Sequence, residues 1–256
     1  MHSSRTRKAA AVSASALTII LMASCATTKS TSSHDEGRIL QSREFPYTQE
    51  TCSENSEFLD MKLSYPVFSS ERLAELNTRV RNSIKSYSGS FKKAAESDWY
   101  ILRDARKDDY PDGKIPPFIY SAKGTAETSD DTASVLVTTY IYSGGAHGAT
   151  QLSSWTYSEK EQKFLDITEA SGMDLNVIAM ECRDSLIAGL KYGDGSPSSE
   201  AERKQWIRDG TAPEHGNYEI FTVDGRNLTV WFEEYKVAPY SCGIQKVRIK
   251  LRRGGN

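Results

Sequence analysis

Apolar residues along this chain switch between two periods. In "FLDMKLSYPVF" (residues 58–68) they alternate and run into Pro66, the pattern of a strand. Directly afterwards Leu73, Leu76, Val80, Ile84, Tyr87, Phe91 and Ala94 recur every three or four positions. That spacing predicts one helix of about 25 residues with a single apolar stripe, capped by Ser69 or Ser70. "RDARKDDYPDGKIPP" reads as a polar loop. Three strands are predicted next, at Phe118–Glu127, Ala133–Tyr142 and Ala149–Tyr157. The middle one carries β-branched and aromatic residues on both faces, as a central strand does.

A turn at "SEKEQK" leads to "FLDITEA", and a second helix is predicted over Leu175–Leu190, with Val177, Ile178, Cys182, Leu186, Ile187 and Leu190 in register. Residues 191–217 form a loop with one short helix around Trp206. "YEIFTV" and "LTVWF" flank Asp224-Gly225 as a hairpin, "EEYKVAPYSCG" is a link, and "IQKVRIKL" is the last strand. Strands in groups, interrupted by two main helices, predict an α+β fold with a largely antiparallel sheet. Residues 58–252 are long enough to bury the core of a single domain.

The amino end has a different character. Arg5, Arg7 and Lys8 precede a mostly apolar run from Ala9 to Ala23, which reads as a signal peptide over residues 1–24. The run is too short and too diluted by Ser and Thr to span a membrane as a helix. Its end, Leu21-Met22-Ala23-Ser24-Cys25, resembles the lipobox of bacterial lipoproteins, which implies cleavage before Cys25 and its acylation by fatty acid such as palmitate. Residues 25–57, opening with "ATTKSTSSHDEGR" after Cys25, are expected to be a flexible tether. The chain is thereby expected at the bacterial cell envelope, held to the membrane by a lipid anchor and exposed to the periplasm or the surface.

Charge and chemistry narrow the reading further. Loss of Arg5, Arg7 and Lys8 with the signal takes the formal net charge from −2 to −5, and the remaining basic residues are scattered, so a nucleic-acid partner is not expected. No Gly-rich strand-to-helix fingerprint is present, and no cofactor is expected. Beyond Cys25, three cysteines remain (Cys52, Cys182 and Cys242); at most one bridge can join them and spacing does not choose which. Glu233-Glu234 and Asp130-Asp131 are adjacent carboxylates, which on a strand point to opposite faces. His34 in the tether has no companion ligands, and His147 and His215 show no HxxxH or HExxH spacing, so no metal site is expected. His147 follows Gly144 and Gly145 where the chain reverses. Its ring can fix that turn by hydrogen bonds, or act as an acid/base if partners converge on it.

"MKLSYPVFSSERLAELN", "YIYSGGAHG", "FLDITEA" and "LTVWFEEYKVAPYSCGIQKVRIKL" occur in an order that resembles an extracytoplasmic domain-of-unknown-function family. Members of that family form the outer part of the anti-sigma factor RsiV and precede the catalytic domain of the peptidoglycan deacetylase PdaC. The most specific matching pieces are Gly144-Gly145-Ala146-His147-Gly148 and the segment from Tyr235 to Tyr240-Ser241-Cys242-Gly243, with Cys242 departing from the pattern. The resemblance implies an envelope domain without an enzymatic centre. The expectation is therefore a non-enzymatic binding module for a protein, such as a lysozyme-like one, or for peptidoglycan. Gly144, Gly145, His147, Trp155, Tyr235 and Tyr240 are its candidate binding or turn-forming residues. The alternative is an envelope enzyme acting on cell-wall sugar or peptide, with His147 as acid/base.

Overall fold

The computed structural model describes residues 24–29, 45–110, 114–192 and 199–251. The signal-peptide segment up to residue 23 and His34 lie outside the described residues. Seven strands form one sheet in chain order: β1 (Ser24–Lys29), β2 (Tyr47–Asn55), β3 (Leu59–Phe68), β4 (Phe118–Thr128), β5 (Thr132–Tyr142), β6 (Ala149–Ser158) and β7 (Lys163–Phe164). Every neighbouring pair is antiparallel except β3 and β4, which run parallel with Leu59 opposite Phe118. A parallel pair needs a crossover, and the helix α1 (Ala74–Ala105) supplies it, entered through a 3₁₀ turn at Glu71–Leu73. The protein is thus α+β and mainly antiparallel.

α1 lies on the sheet through Leu76, Val80, Ile84, Ser88, Ala95 and Trp99. These positions differ from the expected stripe beyond Ile84. Tyr87 is 64% exposed, and Ser88 takes the inward place. The buried positions repeat at a little over 3.6 residues, so the inward face passes from Tyr87 to its smaller neighbour. The helix also runs on to Ala105, where a polar loop was expected. Ser70 does not cap it; its Oγ reaches Glu159 Oε1 instead, at 3.4 Å.

Residues 25–57 are not a tether throughout. β1 and β2 pair antiparallel, with Cys25 opposite Cys52, and β2 pairs in turn with β3. β2 lacks apolar alternation because its side chains are half-buried, so its ladder bonds and ion pairs hold it rather than a core face. Glu50 receives hydrogen bonds from Tyr65 and Arg81, at 2.5 and 3.2 Å, and Glu54 pairs with Lys92 at 2.7 Å.

The rest of the chain builds a second core. α2 (Ile167–Ser171) opens with a capping box between Asp166 and Glu169. α3 (Leu175–Gly189) buries Ile178, Ala179, Cys182 and Leu186 against a three-stranded sheet of β8 (Phe221–Val223), β9 (Asn227–Phe232) and β10 (Gln245–Lys250). Val177 and Ile187, placed on the apolar face by spacing, are 41% and 37% exposed. Gly225 has φ 80° in the expected β8–β9 turn, a conformation open to glycine. α4 (Glu200–Gly210) carries Trp206.

Hydroxyls join the two sheets. The Val223 amide donates to Ser134 Oγ at 3.0 Å, and the Phe221 amide donates to Ser154 Oγ at 2.9 Å. Each lies on a strand of the large sheet and receives an amide from β8.

Candidate active site around His147

The site grows from the β5–β6 turn. Gly144 has φ 84°, and a Cβ there would overlap the Leu102 side chain of α1, so only glycine fits. Gly145 has open space around its Cα, apart from the His147 carbonyl at 3.7 Å. Gly148 is buried beneath Tyr140, whose ring a Cβ at that position would strike. The turn is therefore pinned at Gly144 and Gly148 and leaves His147 exposed between them.

Tyr240 comes to this turn from the β9–β10 link. Its hydroxyl donates to the Gly148 carbonyl at 3.2 Å, and its ring stacks on His147 with centroids 4.4 Å apart. His147 Nδ1 lies 3.0 Å from the same carbonyl. A carbonyl can only accept, so Nδ1 carries the proton and Nε2 is the basic nitrogen of the neutral ring.

The link holds two further residues of the site. After β9 the chain turns at Glu233–Lys236, with the Lys236 amide donating to the Glu233 carbonyl at 3.1 Å. Glu233 and Glu234 thus stand in a turn, not on a strand. Glu233 Oε1 accepts the Leu152 amide at 2.7 Å and ties the turn to β6. Glu234 lies within electrostatic reach of His147: burial pushes its carboxyl above the usual carboxylate range, the imidazole pulls it down, and Glu233 pushes it up. The Tyr240 phenol is also raised, first by burial and then by Glu234, Tyr140 and Tyr235. Tyr235 has φ 67° and its ring centroid lies 5.9 Å from that of Tyr240.

Of the residues singled out in the sequence, His147, Tyr235 and Tyr240 are brought together, with Gly144 shaping the turn beneath them. Trp155 is not. It lines a separate pocket of about 480 Å³ with Arg79, Asp166 and His215. Glu234, read from the sequence as one of two adjacent strand carboxylates, belongs to the site, as does Tyr140, which was not singled out. The end of the apolar run at Phe232 marks where the strand stops and the carboxylates become free to turn. Among the described residues, no group of three or more His, Cys, Asp or Glu is placed to hold a metal ion. Cys182 and Cys242 are free thiols, and burial pushes Cys182 up to about 12.

Comparison with known proteins bears on the same segments. Residues 52–150 match the family model described as "Deacetylase PdaC", and residues 141–252 match the family of unknown function DUF3298. The two family models match in succession and together run from residue 52 to residue 252. The two matches overlap at the turn that presents His147. Over 203 residues the chain is 25% identical to the peptidoglycan-N-acetylmuramic acid deacetylase PdaC of Bacillus subtilis (strain 168), which covers 78% of this chain and 39% of the relative. The chain therefore spans about two fifths of the length of that curated relative, 39%. Two crystal structures of DUF3298 family proteins share the fold. One, from Bacteroides fragilis NCTC 9343, has a TM-score of 0.54, 14% identity and 90% coverage of both chains. The other, from Pseudomonas aeruginosa PAO1, has a TM-score of 0.52, 13% identity and coverage of 81% of this chain and 91% of that one.

The expectation of a non-enzymatic protein is corrected by these matches. The family model over residues 52–150 is that of a deacetylase, and the curated relative is itself a deacetylase. No helix among the described residues is long and apolar enough to cross a membrane.

Proposed function

We propose that this chain is an extracytoplasmic enzyme that acts on cell-wall peptidoglycan, with His147 as acid/base and Glu234 as its partner. The observation that carries the reading is an imidazole stacked on Tyr240 and held at the Gly148 carbonyl, with a carboxyl of raised proton affinity within electrostatic reach of it. Two titratable groups held in such different environments are suited to opposite roles in proton transfer. The likeness to a peptidoglycan-N-acetylmuramic acid deacetylase supplies the substrate class, an N-acetyl group on a wall sugar.

In that reaction water adds to the acetyl carbonyl carbon while His147 Nε2 takes its proton. The C–N bond then breaks as the amine leaves with a proton from the Glu234 carboxyl, and acetate is released. Stacking on Tyr240 and the bond from Nδ1 to the Gly148 carbonyl hold the imidazole in the tautomer this needs. The signal-like amino end and its lipobox support an envelope location in which Cys25 is acylated. Cys25→Ala is expected to abolish labelling by a clickable fatty acid, and persistent labelling would refute acylation there.

The decisive assay is incubation of the purified chain with peptidoglycan sacculi, followed by measurement of released acetate and of muropeptide masses. His147→Asn and Glu234→Gln are each expected to lower acetate release by about 10²-fold or more. Wild-type protein that releases no acetate, or a His147→Asn variant that matches wild type, would overturn the proposal.

A further inference from the structure

Tyr235 occupies the position of the Glu233–Lys236 turn where φ is positive, at 67°. Such a position favours glycine, and a tyrosine there strains the backbone. Core packing does not compensate for that strain, because Tyr235 is 60% exposed. The turn is braced from behind instead. Trp206 Nε1 donates to the Tyr235 carbonyl at 3.0 Å, and Gly210 at the end of α4 lies so close to the Lys236 carbonyl that a Cβ could not fit. A large exposed aromatic, held in an unfavourable conformation by its neighbours, points to function rather than to folding.

Between α4 and this turn lies a pocket of about 580 Å³, lined by Tyr235 and Trp206 together with Gln205, Asp209, Asn217 and Lys236. It is a shallow, open depression rather than an enclosed cavity. Tyr235, on the rim of this pocket, has its ring centroid 5.9 Å from that of Tyr240, which stacks on His147.

We propose that this pocket is a saccharide-binding subsite that seats a second ring of the glycan strand reaching His147, with Tyr235 as its stacking residue. The inference rests on the preceding reading of the His147 site. A pyranose presents C–H faces, which lie well on aromatic rings, and a rim of hydroxyls, which need paired donors and acceptors. The pocket supplies two aromatic side chains and a polar rim in which Gln205 Nε2 donates to Asp209 Oδ1 at 2.7 Å and Asn217 Nδ2 donates to the Ala212 carbonyl at 3.0 Å, leaving the side-chain oxygens as acceptors for sugar hydroxyls. Its single lysine among acidic neighbours favours neutral hydroxyl donors over a phosphate or a carboxylate ligand.

The test uses β-1,4-linked N-acetylglucosamine oligomers, from monomer to hexamer, titrated into the full chain by calorimetry. In wild type, affinity is expected to rise by about tenfold or more between monomer and dimer as the second ring is seated. In Tyr235→Gly that gain is expected to vanish while the melting temperature holds or rises, because glycine suits the positive φ. Trp206→Phe, which keeps a ring but loses the bond to the Tyr235 carbonyl, is expected to show an intermediate gain. Affinity that does not grow with oligomer length in wild type, or a Tyr235→Gly variant that keeps the gain, overturns the subsite. Acetate release with no length dependence would refute the subsite alone. Length-dependent binding without acetate release would refute the enzymatic reading alone.

Discussion

Gly144 and Gly145 are adjacent in sequence and unequal in what they require. A side chain at Gly144 meets both a positive φ and the Leu102 side chain, whereas at Gly145 it meets open space. Gly144→Ala is expected to lower stability by about 1–3 kcal/mol, and Gly145→Ala by no more than about 0.5 kcal/mol, in denaturant melts. Glu234 gives a pH-dependent counterpart. Its folded proton affinity lies above that of the unfolded chain, so its contribution to stability is complete below the ordinary carboxylate range and is lost as pH rises through the raised value. Glu234→Gln removes that loss. The variant is expected to melt above wild type at neutral pH and level with it near about pH 4, where carboxylates are protonated. A variant less stable than wild type at neutral pH would refute the burial argument. With activity lost and stability gained, the site would hold a group that the fold tolerates rather than needs.

At the scale of elements, β2 shows how a strand forms without an apolar face. Its Glu54 side chain is 7% exposed and is met by Lys92 of α1, itself 43% exposed. Lys92→Met leaves that carboxylate without its cation and is expected to cost about 1–3 kcal/mol, with most of the loss recovered in the Lys92→Met/Glu54→Met double variant. A double variant no better than the single one would mean that the pair does not couple helix to strand. The same strand shows where sequence reading stops. "YTQETCSEN" carries no alternation, because its partners are a ladder on each side and two ion pairs distant in sequence, which periodicity cannot register. By contrast β4, β5 and β6 were legible nearly to the residue: β4 alternates buried and open positions, β5 buries six consecutive residues from Thr132 to Val137, and β6 is bounded by the glycine turn before it and the polar turn after it. α1 was legible to Ile84 and then misjudged, because a spacing of three placed Tyr87 in the stripe where the helix turns Ser88 inward. At the site, motif resemblance singled out His147, Tyr235 and Tyr240 one by one, and only the structure shows that Tyr240 meets them both. The approach of Glu234 depends on a turn that only the three-dimensional path reveals.

At the scale of the whole molecule, two cores meet along β8. Ser134 and Ser154 each accept an amide from that strand, and little else of the large sheet reaches it through side-chain hydrogen bonds. Ser134→Ala leaves the buried Val223 amide without its acceptor. The Ser134→Ala/Ser154→Ala variant is therefore expected to separate the unfolding of the two cores, giving two calorimetric transitions where wild type gives one. A single transition in the double variant would show that apolar contact alone couples them. The parallel pairing of β3 with β4 governs how this architecture arises in time. β2 and β3 meet across a short turn, whereas bringing Leu59 to Phe118 means closing a loop that contains the whole of α1, the slower step on grounds of loop entropy. Until then the inner edge of β3 stays open, an unclosed seam that a neighbouring chain can enter. The long helix is thus more than a cover for the sheet. It is the clasp whose closing ends the interval in which this chain is most exposed to association with its own copies.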